Sequence, residues 1–360
     1  MPEIRLAAER KYEAELRALA AADPGARPPG WSLTPRAVET YVMGTDKPVG
    51  GVAITPKYIG DRALVQVAIA TLASDRALML TGEPGTAKSW LSEHLTAAIS
   101  GTSALVVQGT AGTSEEHLKY GWNYALLLAD GPSERALVPS PIYRAMKEGK
   151  VARFEEITRT SAEVQDALIS ILSEKQIAIP ELGSAISAER GFSIIATANT
   201  RDRGVNEMSA ALKRRFNFET VFPIPDMQTE LALVRDETRR LLERANVPSM
   251  PGDDVLDVLV TTFRELRAGQ TADGQAIERL SVPMSTAEAV SVAYAVGVRG
   301  HYLGGGRTSP ADVVECLAGA AVKDDKEDLN RLRQYFEQRV SKRKGAHWQA
   351  FYEARHRLPG

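Results

Sequence analysis

The segment Gly82-Glu83-Pro84-Gly85-Thr86-Ala87-Lys88-Ser89 lies between an apolar run, Ala77-Leu78-Met79-Leu80, and a helical pattern over residues 88–99. Strand, glycine turn and helix in that order, closed by Lys-Ser, form the context in which backbone N–H groups can cradle phosphate oxygens. The start of the helix adds its positive dipole end. Lys88 is placed to reach the β- and γ-phosphates of a nucleotide, and Ser89 to ligate Mg2+. Glu83, Pro84, Thr86 and Trp90 complete the expected ATP-binding stretch with Gly82, Gly85 and Ala87. Ala87 stands where the G-x-x-x-x-G-K-[ST] pattern has its second glycine, and a near-helical backbone there would tolerate it. Lys57 and Tyr58, ahead of the first helix of this region, are candidates for adenine contact.

Such a loop needs a parallel sheet around it. Further strands are expected at residues 104–107, 151–154, 192–198 and 217–222, with helices between them, which predicts an α/β sheet covered on both faces. After Pro223-Ile224-Pro225 the strands stop, and helical patterns follow over 226–245, 253–268, 285–298 and 310–323. The predicted organisation is a helical extension and linker over 1–50, with one helix from Ile4 to Ala22. The P-loop α/β domain follows over 51–225, a small all-helical lid over 226–325, and a basic C-terminal helix over 326–360.

Composition narrows the partners. A net charge of −2 across 360 residues gives no global basic field for nucleic acid or an anionic membrane. A single cysteine, Cys316, excludes an internal disulfide framework, and the histidines are scattered without metal-ligand spacing. No apolar run is long enough to span a bilayer, and residues 1–17 do not read as a secretory signal. The expected location is cytoplasmic.

Three further motifs follow in chain order. Val151-Ala152-Arg153-Phe154-Glu155-Glu156 reads as a short strand ending in two carboxylates, although Arg153 interrupts its apolar pattern. ATP hydrolysis needs one acid at the Mg2+ shell and one to polarise water; Glu155 fits the first role and Glu156 the second. Phe192-Ser193-Ile194-Ile195-Ala196-Thr197-Ala198-Asn199 ends an apolar strand in an amide that can hold the attacking water. Ala211-Leu212-Lys213-Arg214-Arg215-Phe216 places a basic cluster where an arginine could reach a neighbouring subunit's γ-phosphate, Arg215 ahead of Arg214.

Over about residues 50–325 the sequence resembles the MoxR family of AAA+ ATPases. The loop ending Ala87-Lys88-Ser89, the Ala129-Asp130-Gly131-Pro132 stretch, Ile157-Thr158-Arg159 after the acidic pair, Gln165-Asp166-Ala167-Leu168 before a hairpin at residue 176 onward, and Gly306-Arg307-Thr308-Ser309-Pro310 carry the resemblance. It implies a homo-oligomeric ring, commonly a hexamer, with ATP and Mg2+ at subunit interfaces. It also implies chaperone-like work, often with a protein partner carrying a von Willebrand factor A domain. Two positions depart from the family pattern: Glu155 replaces the usual aspartate, and Ala287 stands where the lid's sensor arginine belongs, with Arg279 as a possible substitute.

The expected function is therefore ATP-driven remodelling of a protein partner. One alternative is a nucleic-acid motor, favoured only by the basic stretch 331–357. The other is an assembly scaffold with slow hydrolysis. The stretch 126–138 is expected to be an apolar hairpin that grips protein.

Overall fold

The computed structural model describes residues 5–74, 76–199, 206–323 and 325–359. They form two compact units, one of Met1–Gly82 with Ala87–Val221, the other of Phe222–Gly360 with the loop Glu83–Thr86.

The first unit opens with α1 (Ala8–Lys11), α2 (Glu13–Ala22), α3 (Pro35–Met43) and α4 (Arg62–Leu72). The core strands are β1 (Ala77–Gly82), β2 (Val106–Gln108), β5 (Val151–Glu155), β8 (Ser193–Asn199) and β9 (Phe216–Thr220). Between them come α5 (Lys88–Ser100), β3 (Tyr120–Trp122), α6 (Tyr124–Asp130), β4 (Leu137–Pro139), α7 (Pro141–Glu148), α8 (Ala162–Glu174), β6 (Gln176–Ile179), β7 (Ser184–Ser187) and α9 (Ala210–Lys213). The core strands make one parallel five-stranded sheet in the order β2-β5-β8-β1-β9, as the strand–helix alternation predicts.

Strand alternation builds two cores, one on each face. Ala77, Met79, Ala152, Phe154, Ile194 and Ala196 face α7 and α8, whose Ile142, Met146, Leu168 and Ile171 meet them. Leu78, Leu80, Val151 and Ile195 face the other way, onto Leu91, Leu95 and Ile99 of α5. Helix starts follow local chemistry: Asp61, Ser140 and Ser161 each accept a backbone N–H at the first turn of α4, α7 and α8.

Two sequence expectations need correction here. The expected start of the first helix, Ile4, lies outside the described residues. Its remainder is broken at Tyr12, whose φ of −114° and ψ of 27° turn the chain between α1 and α2. This segment is also no loose appendage, because Leu19, Trp31, Val38, Tyr41 and Val42 share a core with α4, α5 and β1. The stretch 126–138 is not a plain hairpin: β3 and β4 pair antiparallel, and the turn between them carries α6, started by Asn123. The hairpin expected from residue 176 onward is present as β6 paired with β7. The Tyr120 hydroxyl of β3 donates to Glu181 Oε2 at 2.8 Å, tying the two hairpins together.

The second unit is helical: α10 (Met227–Arg244), α11 (Asp253–Ala268), α12 (Thr286–Tyr302), α13 (Pro310–Ala321), α14 (Lys326–Gln338) and α15 (Ala346–Glu353). Ser285 with Glu288 and Ser309 with Asp312 form reciprocal caps at α12 and α13. Glu230, fully buried on α10, is compensated by Arg264, Arg267 and the Thr286 hydroxyl. The basic C-terminal stretch is two helices rather than one, and it is core. Leu332, Tyr335, Phe336, Trp348 and Phe351 pack with Val258, Phe263, Val296 and Leu317. No helix among the described residues is long and apolar enough to cross a membrane.

Candidate functional site

β1, flanked by β8 and β9, delivers Gly82 beside Asn199, which ends β8 in the same register. The loop then turns through Gly85, at a φ of +75°, and Ala87, at +67°. Ala87 is thus left-handed, with ψ 22°, and not near-helical. That conformation costs an L-residue about 1–2 kcal/mol and explains why a glycine belongs there. Lys88, the first residue of α5, is buried and folds back so that its Nζ donates to Gly82 O at 3.1 Å. The Thr86 hydroxyl closes the turn on Glu83 O at 2.9 Å. A glycine turn, a lysine held over it and a helix start suit the phosphates of a nucleotide.

The acidic strand joins this loop through side chains. Arg153 and Glu155, two apart on β5, project toward α5, where Ser89 and Ser92 stand one turn apart. Ser89 Oγ donates to Glu155 Oε2 at 2.6 Å and Ser92 Oγ to Oε1 at 2.6 Å. Thr197 Oγ1 on β8 donates to Oε2 at 2.7 Å. Arg153 Nη2 lies 2.8 Å from Oε1. Burial alone would push the Glu155 carboxyl up; the Arg153 charge and these hydroxyls outweigh it and hold the group below its ordinary value. Arg153 is therefore no flaw in a buried strand but the counter-charge that lets a carboxylate sit there. Ser89 and Glu155 supply a hydroxyl and an anionic oxygen, hard donors that fit Mg2+. No cluster of three or more His, Cys, Asp or Glu able to hold a metal occurs among the described residues.

Glu156 leaves the strand in a left-handed turn, φ 54° and ψ 47°. Its N–H donates to Thr197 Oγ1 at 3.0 Å, and its half-exposed carboxylate meets Arg159 Nε at 2.6 Å. Thr197 thus fixes both acids. Gly109, after β2, donates its N–H to Glu155 O at 2.7 Å. A Cβ there would stand 2.4 Å from Glu156 O, so only glycine lets β2 approach the acid turn.

The remaining candidates divide. Arg215 donates from Nε to Ser173 Oγ at 2.7 Å, whereas the Arg214 side chain is exposed and makes no hydrogen bond or ion pair among the described residues. The Lys57 ammonium is committed to Glu15 at 2.6 Å, between the rings of Tyr12 and Tyr41, so the expected adenine contact is not how this cation is used. The N–H groups of Lys57 and Tyr58 both donate to Val42 O, and Lys57 O receives the Trp90 indole N–H at 2.6 Å. This strap positions Trp90, two residues beyond Lys88. In the helical unit, the Arg279 guanidinium caps the carbonyl of Ala268 at the end of α11. Sequence reasoning missed Ser92, Thr197 and Gly109. The signal lay in spacing, with Ser92 one helical turn after Ser89 and Thr197 two residues before Asn199.

Residues 77–216 match the AAA domain (dynein-related subfamily), and residues 228–359 match the YehL-like AAA+ ATPase C-terminal domain. The second match spans α10 to α15 and treats the C-terminal helices as part of the same domain. The YehL protein of Escherichia coli K12 is 54% identical over 351 residues, 97% of this chain and 96% of that one. A Staphylococcus aureus USA300 protein is 32% identical over 143 residues, 39% of this chain and 54% of its own. Among solved structures, NtrX from Brucella abortus in complex with ADP is similar at a TM-score of 0.51 and 15% identity. That match covers 83% of this chain and 61% of NtrX, and the likeness is one of fold. The chain belongs to the YehL-like family of AAA+ ATPases.

Proposed function

We propose that this chain hydrolyses ATP to remodel a protein partner, as one subunit of a ring, a hexamer on the resemblance to MoxR ATPases. The observation that carries the catalytic half is the 2.6 Å bond from Ser89 to Glu155, which couples the phosphate loop to the acidic strand. The loop N–H groups and Lys88 bind the β- and γ-phosphates. Ser89 and Glu155 hold Mg2+, which when bound neutralises phosphoryl charge. Glu156, clear of the strand, takes the proton of the attacking water, and Asn199 beside Gly82 orients that water. Arg214 and Arg215 are the finger candidates for a neighbour's nucleotide. Exposure favours Arg214 as the residue that reaches across, with Arg215 anchored to α8 behind it.

The protein-directed half rests on α6. It buries none of its residues, and Tyr124 and Leu128 are 66% and 87% exposed. Apolar surface of this kind grips protein, whereas a phosphate backbone needs free cations. Most of the arginines in the basic stretch 331–357 are already engaged, and Lys342 and Lys344 are the exposed cations without a partner among its described residues. Arg331 is paired with Asp328, Arg343 with Glu265, Arg355 with Glu337 and Arg357 with Glu315. A partner with a von Willebrand factor A domain fits the MoxR resemblance, and a cytoplasmic location fits the composition. The test is phosphate release by the full chain with Mg2+-ATP, alone, with protein captured from native lysate in ATP, and with single-stranded DNA or RNA. Stimulation by the captured protein supports the reading. Strong stimulation by nucleic acid alone replaces it with the nucleic-acid motor.

A further inference from the structure

The two oxygens of Glu155 have different surroundings. Oε2 faces Ser89 Oγ at 2.6 Å and Thr197 Oγ1 at 2.7 Å, toward the loop and the sensor strand. Oε1 faces Arg153 Nη2 at 2.8 Å, Arg153 Nε at 3.1 Å and Ser92 Oγ at 2.6 Å. Arg153 is itself fixed, because its guanidinium also donates to Ser89 O at 3.1 Å, Ser103 O at 3.3 Å and Ser92 Oγ at 3.0 Å. One oxygen is an anchor; the other is presented to the site.

A glutamate at the end of β5 has one more rotatable bond than the aspartate usual in such strands, so its free carboxylate would sample several positions. A planar guanidinium that sets two N–H groups on Oε1, and is itself held by Ser89 O, Ser103 O and Ser92 Oγ, removes that freedom where a flexible ammonium would not. We propose that Arg153 is a positioning residue which fixes the Glu155 carboxylate through Oε1, so that Oε2 and Ser89 Oγ together meet Mg2+. The inference rests on the reading of Ser89 and Glu155 as the Mg2+ ligands. It makes the arginine inside the strand a functional partner of the glutamate rather than an unrelated departure.

The measurement is the affinity for a fluorescent ATP analogue, titrated in excess Mg2+ and again in EDTA, on the full chain. The ratio of the two affinities reports the metal's contribution, while the EDTA value reports an intact loop. Loss of a residue that orients a ligand reduces metal affinity by about 10–100-fold. For Arg153→Gln the ratio is expected to fall by at least about tenfold, with the EDTA affinity within about twofold of wild type. Arg153→Lys keeps the charge without the fork and is expected not to restore the ratio. Wild-type ratios in Arg153→Gln or in Arg153→Lys overturn the proposal. If Arg153→Gln fails to fold, Ser92→Ala decides, since it removes one neutral anchor from Oε1: a reduced ratio supports the proposal, an unchanged one overturns it. A wild-type chain that binds nucleotide equally in both buffers removes the underlying reading of Ser89 and Glu155, and the proposal with it.

Discussion

The Lys88 ammonium and the Gly82 carbonyl, at opposite ends of the phosphate loop, lie 3.1 Å apart. The cation is held over the turn by the residue that begins it, so a nucleotide meets a preformed charge. Lys88→Ala is expected to weaken ATP binding at least about tenfold, about 1.4 kcal/mol, while leaving the fold intact. A fluorescent-nucleotide titration alongside a melting curve checks this, and unchanged affinity removes the loop from the account.

Ala87 makes a second, independent prediction about the same turn. Its φ of +67° costs an alanine about 1–2 kcal/mol, whereas glycine adopts that φ freely but loses about 0.5–1 kcal/mol more backbone entropy on folding. Ala87→Gly should therefore be neutral to about 1 kcal/mol more stable, and Ala87→Val clearly less stable. Denaturant unfolding measures both. A clear loss of stability in Ala87→Gly would show that the turn is not left-handed.

Arg214 and Arg215 separate by exposure. Arg214→Ala is expected to lower turnover at least about tenfold without lowering nucleotide affinity, because the loss falls on a neighbour's transition state. Arg215→Ala should reduce turnover less, through the lost Ser173 contact. Mixing Arg214→Ala with Glu156→Gln subunits should recover some activity if the residue acts across an interface. Normal assembly with no recovery counts against action in trans.

His94 on α5 gives the fold a pH signature. It is buried beneath Tyr12, Tyr41 and Trp90, and Tyr41 Oη lies 2.9 Å from its Nδ1. Burial first, then the charges of Lys57, Lys11, Arg153 and Arg5, push its pKa down to about 3. The folded state thus holds a neutral ring while the unfolded chain takes up a proton below about pH 6.5. Stability from this site is present above that value and is lost as pH falls toward 3, reaching about 2 kcal/mol lost by pH 5. His94→Gln should show a shallower decline than wild type between pH 6.5 and 4. Parallel curves would mean that His94 is not held neutral.

The parallel sheet, the loop and the acidic strand were legible in the sequence because each depends on local pattern. Ala77–Leu80 is apolar on both faces, and Lys88-Ser89 follows a glycine turn at the start of a helix. What the sequence hid depends on long-range pairing. Arg153 reads as a break in a buried strand until Glu155, Ser89 and Ser92 surround it. Lys57 reads as a free cation until Glu15, 42 residues earlier, is seen to pair with it. Arg343, Arg355 and Arg357 read as part of a basic face until Glu265, Glu337 and Glu315 are found opposite them on α11, α14 and α13. Tyr335, Phe336 and Phe351 were the visible sign of a core there, and charge counting masked them.

The central claim, that this site hydrolyses ATP with Glu156 as base, is tested most directly by Glu156→Gln. Nucleotide affinity and phosphate release should be measured on the same preparation. The amide keeps the shape of the side chain and cannot accept the proton. Glu156→Gln is expected to keep wild-type ATP affinity with turnover reduced by at least about a hundredfold. Phosphate release at the wild-type rate would contradict it.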